Sequence, residues 1–136
     1  MKTPLIYVVE DDKDERFFIE EAFNSFLDII QVQILYFTNG RQVIDALKSQ
    51  ADLTPNFILM DINMPIMNGI EALKVIASSP VLKSIPVVMF STSKAEEEIA
   101  ACLNFGAKKY ITKPESMMQY PILLKELFLE QIGNLI

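Results

Sequence analysis

The chain has no histidine. That excludes zinc sites with His ligands, His-based acid–base catalysis and Ser-His-Asp triads. It has one cysteine, Cys102, so no internal disulfide can form. Cys102 falls in a helical pattern and is expected to pack as a small apolar side chain, which fits a reducing cytoplasm. No apolar run approaches membrane-spanning length, and no basic-then-apolar leader opens the sequence. Positive charge is also scarce. Twelve Lys and Arg face 18 Asp and Glu, for a net charge of -6. That balance argues against a nucleic-acid surface, which needs a basic footprint. Linkers and low-complexity segments are lacking too, so the 136 residues read as a single domain, 1–136. Hydrophobic residues make up 51%, enough for a proper core without metal or disulfide staples.

The stretch that stands out is FILMDINMP, Phe57 to Pro65. Four apolar residues stop at Asp61, and Asn68-Gly69 follows as a turn signal. A short apolar run bounded by turn chemistry reads as a buried strand. Its terminal carboxylate then sits at the rim of a sheet, where open α/β folds bind ligands. Other runs repeat the form. Leu5 to Val9 ends in Glu10-Asp11-Asp12. Val32 to Phe37 precedes Asn39-Gly40. Ile85 to Phe90 ends in Ser91-Thr92-Ser93, and Lys109 to Thr112 ends in Lys113-Pro114.

Between these runs, apolar residues recur at helical spacing. Phe18, Ile19, Ala22, Phe23 and Phe26 mark a helix over 14–27. Val43, Ile44, Ala46 and Leu47 mark a second, and Ile70, Leu73, Ile76 and Ala77 a third. Lys94 to Phe105 gives a fourth, with Ile99, Cys102 and Leu103 inward and Gly106 as C-cap. A last helix runs toward Gly133, and Pro121 suits its first turn only. Strands separated by helices pair in parallel through right-handed crossovers. The pattern therefore predicts an α/β, doubly wound, five-stranded parallel sheet with helices on both faces.

In such a sheet the strand ends share one edge. Glu10, Asp11, Asp61, Ser91 and Lys113 should converge there. Clustered carboxylates cannot all stay charged without a cation. Oxygen-only ligands suit Mg2+, which combines one or two carboxylates with substrate phosphate. A lysine and a hydroxyl add donors for an anion. This set permits phosphoryl transfer to Asp61.

The motifs VVEDD (8–12), LMDINMPIMNG (59–69), PVVMFSTS (86–93) and GAKKYITKP (106–114) occur in this order. Together they resemble the receiver domain of two-component response regulators over essentially the full length. The resemblance implies a flavodoxin-like sheet of order 2-1-3-4-5. It implies Asp61 as phosphoacceptor, Asp11 as direct Mg2+ ligand, Glu10 acting through water, and the Asn63 carbonyl in the metal shell. Lys113 would hold the phosphoryl group. Ser91, more than Thr92, would swing toward it while Tyr110 turns inward. Pro114 would favour a cis Lys113-Pro114 peptide. Ser91 stands where threonine is commoner, and Glu10 where aspartate is common; both keep the chemistry. The stretch VLKSIPVVMFSTS also resembles small single-domain regulators that partner with bacteriophytochrome-type kinases.

The implied role is a stand-alone receiver without output domain, not an enzyme apart from self-phosphorylation and self-dephosphorylation at Asp61. Lacking histidine, the chain needs a separate histidine kinase or histidine phosphotransfer protein as donor, and a downstream protein effector. Neither nucleic acid nor membrane is expected as a partner. Two alternatives stand beside it. One is a degenerate receiver that binds partners without phosphorylation. The other is a haloacid-dehalogenase-type phosphatase, but that family needs an acid where Asn63 stands.

Several residues read as ordinary. Asp12, Asp14, Glu15 and Glu96 to Glu98 fit solvated helix-start charges. Lys108 and Lys109 fit surface charges, and most methionines fit core filler. The last helix is different. Ile122, Leu124, Phe128, Leu129, Ile132, Leu135 and Ile136 exceed one core stripe. The surplus suggests a dimer or partner surface. The receiver resemblance implies that the last two helices and last strand form it, as a homodimer contact linked to the site by Tyr110.

Overall fold

The computed structural model describes residues 3–27, 31–49 and 54–133. Five strands are present: β1 (Leu5–Val9), β2 (Gln33–Phe37), β3 (Phe57–Met60), β4 (Val87–Ser91) and β5 (Lys109–Thr112). All pairings are parallel, in the order β2-β1-β3-β4-β5. The doubly wound sheet expected from the sequence is therefore the fold.

Five α-helices cover the sheet: α1 (Lys13–Asn24), α2 (Gly40–Ser49), α3 (Gly69–Ser78), α4 (Glu96–Asn104) and α5 (Tyr120–Ile132). The central strands β1, β3 and β4 are buried throughout, because helices pack on both of their faces. Their side chains alternate between two cores. Tyr7, Val9, Ile58, Met60, Val87 and Met89 pack with α2 and α3. Ile6, Val8, Phe57, Leu59, Val88 and Phe90 pack with α1 and α5.

Local chemistry sets the helix starts next to the site. Asp12 caps α1, its Oδ1 accepting from the amides of Asp14 (2.8 Å) and Glu15 (3.1 Å). It is thus a cap and not merely a solvated charge, a contribution of about 1 kcal/mol. Asn68 and Glu71 form a reciprocal capping box on α3. Gly106, at φ +108°, takes the left-handed position after α4, as expected of a C-cap.

Two expectations need correction. Leu103 is 47% exposed. The short helix α4 turns only one stripe to the core, filled by buried Cys102 and half-buried Ile99, and Leu103 lies beside that stripe. The Lys113-Pro114 peptide is trans, as are all peptides among the described residues. Lys113 stays in line with β5 because its amide still donates to the Ser91 carbonyl (2.8 Å), so strand direction alone aims it. Trans is also the lower-energy form by roughly 0.5–1 kcal/mol. Among the methionines, Met60 and Met89 are core, as expected, and Met117 and Met118 are exposed.

The last helix begins at Tyr120, with Pro121 in its first turn after a 3-10 turn at Met117–Gln119. That turn is capped by the Ser116 hydroxyl, which accepts from the Met118 amide. Leu124, Phe128 and Ile132 enter the core, while Ile122 and Leu129 face solvent. Leu135 and Ile136 lie outside the described residues.

Candidate functional site

The C-terminal ends of β1, β3, β4 and β5 form one edge of the sheet. The backbone fixes the acids there. The Asp61 amide donates to the Val9 carbonyl (3.0 Å), and the Glu10 amide donates to the Phe37 carbonyl (2.9 Å). Each acid therefore stands one residue past its strand, still tied to the neighbouring one. Carboxylate oxygens of Glu10, Asp11 and Asp61 lie within 4.8 Å of one another. Glu10 and Asp61 are buried, while Asp11 is exposed at the mouth.

Lys113 reaches the same point from β5. Its Nζ donates to Glu10 Oε1 at 2.8 Å, and lies 3.5 Å from Asp61 Oδ2 and 3.5 Å from Glu15 Oε2. It also stands 5.8 Å from the centre of the Phe90 ring. Asp61 Oδ1 accepts from the Ile62 amide at 2.8 Å, and Glu10 Oε2 from the Asp12 amide at 3.1 Å.

Burial governs the charges. It pushes the Glu10 carboxyl up to about 7, aided by the Asp61 charge and opposed by the Lys113 hydrogen bond. Asp61 is raised for the same reason, against the pull of Lys113 and the Ile62 amide. Burial would lower Lys113, but Glu10, Asp61 and Glu15 outweigh it and the ammonium is held. One buried cation shared by three acids leaves the site negative. An oxygen donor set with surplus negative charge suits a hard divalent cation, and the surplus is what such an ion would neutralise.

Ser91 is buried at the end of β4, where its Oγ accepts from the Ser93 amide at 3.3 Å. Half-buried Tyr110 donates its hydroxyl to the Ser93 carbonyl at 2.7 Å. Ser91 and Tyr110 are thus joined through the β4–α4 loop. Asn63 lies exposed two residues beyond Asp61.

Over residues 6–123 the chain matches the response regulator receiver domain family. It belongs to that family. The receiver domain is 32% identical over 124 residues to two-component response regulator ORR12 of Oryza sativa subsp. japonica, covering 91% of this chain and 98% of that protein. It is 30% identical to response regulator Rcp1 of Synechocystis, over 83% of this chain and 78% of the relative. A protein-glutamate methylesterase/protein-glutamine glutaminase of Methanosarcina mazei is 37% identical over 71% of the chain, but that match spans only 26% of the methylesterase. The phosphorylated cyanobacterial phytochrome response regulator RcpA superposes with a TM-score of 0.90 at 29% identity, over 98% of this chain and 96% of that one. The Mn2+-bound form of Rcp1 superposes with a TM-score of 0.84 at 26% identity, over 93% and 92%.

The sequence-predicted residues Glu10, Asp11, Asp61 and Lys113 come together in this receiver. Two contributors escaped sequence reasoning. Glu15 reads as a first-turn charge, because an acid at a helix start is already explained by the helix dipole. Gly69 reads as a turn glycine, yet a Cβ there would overlap the carbonyl oxygen of Asp61. Nothing in local sequence signals either contact.

Proposed function

We propose that this chain is a phosphoacceptor of a two-component relay, with Asp61 as the residue that receives the phosphoryl group. The carrying observation is the convergence of Asp61 with two further acids and a buried lysine at one sheet edge. Asp11 and Asp61, the Asn63 carbonyl, and Glu10 through water would hold Mg2+. The bound cation would supply neutralisation of phosphoryl oxygens. The Mn2+-bound state of Rcp1 and the phosphorylated state of RcpA support this assignment by analogy.

In the transfer, an Asp61 carboxylate oxygen forms the new bond to phosphorus. The phosphorus–nitrogen bond of a donor phosphohistidine breaks, and the imidazole leaves with its electron pair. Lys113 meets the negative oxygens of the arriving group. Ser91 donates its hydroxyl to them, releasing the Ser93 amide, and Tyr110 follows through its bond to the Ser93 carbonyl. The acyl phosphate then leaves by hydrolysis or back-transfer.

These 136 residues contain no histidine, so the donor phosphohistidine lies outside them, on a histidine kinase or phosphotransfer protein. The description of RcpA as a phytochrome response regulator supports a photoreceptor kinase as its class. The output is protein–protein, from a single domain of residues 1–136 working in the cytoplasm. Exposed Leu103, Phe105, Ile122 and Leu129 support a homodimer through α4, β5 and α5. Sedimentation with and without beryllofluoride tests the dimer, and a monomer in both states removes it.

The deciding experiment is incubation with phosphoramidate and Mg2+, followed by intact mass. The expected result is one added phosphoryl group, absent in Asp61→Asn. A wild-type chain that stays unlabelled would favour a phosphorylation-independent binding module.

A further inference from the structure

Lys113 has a third partner that the phosphoacceptor reading does not use. Glu15 enters from α1 and brings Oε2 to 3.5 Å from the Lys113 ammonium. The same oxygen accepts a 2.7 Å hydrogen bond from the Tyr120 hydroxyl, at the head of α5. The Tyr120 ring is buried and packs edge-on against Phe18 (6.1 Å, 76°) and Phe90 (5.6 Å, 77°). Rings held this way on two sides have little freedom, so the hydroxyl is fixed in space. The Phe90 ring in turn lies beside Lys113.

From this geometry we infer that Glu15 and Tyr120 are positioning residues for Lys113, holding its ammonium over the site when a cation engages Glu10. The inference rests on the phosphoacceptor reading of Asp61. The physical need is plain. Glu10 is the lysine's shortest contact, at 2.8 Å. A divalent cation draws on the charge of Glu10 and Asp61 and repels the ammonium. Lys113 carries four rotatable carbon–carbon bonds and can retreat. Glu15 is the acid of the trio outside the metal cluster, so its charge stays available. Tyr120 orients that carboxylate, much as an outer hydrogen bond fixes a metal ligand.

Tyr120→Phe is the clean test, because it keeps the ring and every charge. Glu15→Gln removes the charge that faces Lys113. Phosphorylation by phosphoramidate is followed by intact mass at saturating Mg2+. Each variant is expected to slow labelling about 2- to 10-fold, and the double variant no more than the slower single, as for residues acting through one contact. The second readout is the 15Nζ resonance of Lys113 with Mg2+ bound, expected to shift in both variants. A loosened core alone would leave that resonance in place while lowering Tm. Wild-type labelling rates in both variants, multiplied losses in the double, or an unmoved Lys113 resonance overturns the inference. If wild type takes no phosphoryl group, the phosphoacceptor reading fails instead, and the resonance alone decides whether Glu15 and Tyr120 hold Lys113.

Discussion

Lys113 is 2.8 Å from Glu10 but 3.5 Å from Asp61, so the ammonium belongs first to Glu10. A cation that binds the acids competes with that pairing. Lys113→Ala strands buried carboxylates, a loss on the order of 3 kcal/mol. The metal-free variant is therefore expected to unfold at lower urea concentration than wild type. Saturating Mg2+ should restore most of the difference, because it replaces the missing charge. Urea melts with and without Mg2+ check this; an equal deficit in both conditions contradicts it.

The raised Glu10 carboxyl gives a pH signature. It titrates at about 7 in the folded protein against an ordinary 4.5. Between those values the folded chain keeps a proton that the unfolded chain has lost. Stability from this group is thus fully present below about pH 4.5 and is lost as pH rises through about 7. The expected loss is on the order of 3 kcal/mol across that window. Melts in EDTA from pH 5 to 8 read it as a downward slope, measured at about unit intervals. Glu10→Gln should flatten the slope.

Gly69 abuts the backbone that carries Asp61, whose carbonyl oxygen occupies the place of a Cβ. Gly69→Ala must displace that segment. A cost of about 2–4 kcal/mol is expected, together with slower phosphoramidate labelling of Asp61. Wild-type stability and labelling would show that the segment yields freely.

Ile66 has φ +68° although it is β-branched, and it is 82% exposed. It bears left-handed strain without return from packing. Ile66→Asn keeps the loop and suits that conformation better, so a gain of about 1 kcal/mol is expected in urea melts with unchanged slope. No gain would mean that the side chain offsets the strain through contacts with the loop.

The sheet and four of its site residues were legible because strand ends in a parallel sheet must share an edge. Asp61, Glu10, Asp11 and Lys113 needed only that rule and the apolar runs before them. Glu15 and Tyr120 were not, since their contact joins residues far apart in sequence through the packing of α1 on α5. Leu103 failed for a related reason. Helical spacing names a stripe, but the width of that stripe is set by how α4 lies on the sheet. The start of α5 depended on a 3-10 turn whose only local mark is the Ser116 cap.

Asp61 and Glu10 each remain bonded, through their own amides, to the strand alongside. Their separation is consequently a dimension of the sheet, and loop sequence cannot retune it. The acid half of the site behaves as a fixed anvil. Ser91 and Tyr110 are seated in the sheet too, on β4 and β5, but both of their side-chain hydroxyls bond to one loop residue, Ser93. On the phosphoacceptor reading, the part of the site left to rearrange is therefore the β4–α4 loop around Ser93, which lies against β5 through Tyr110.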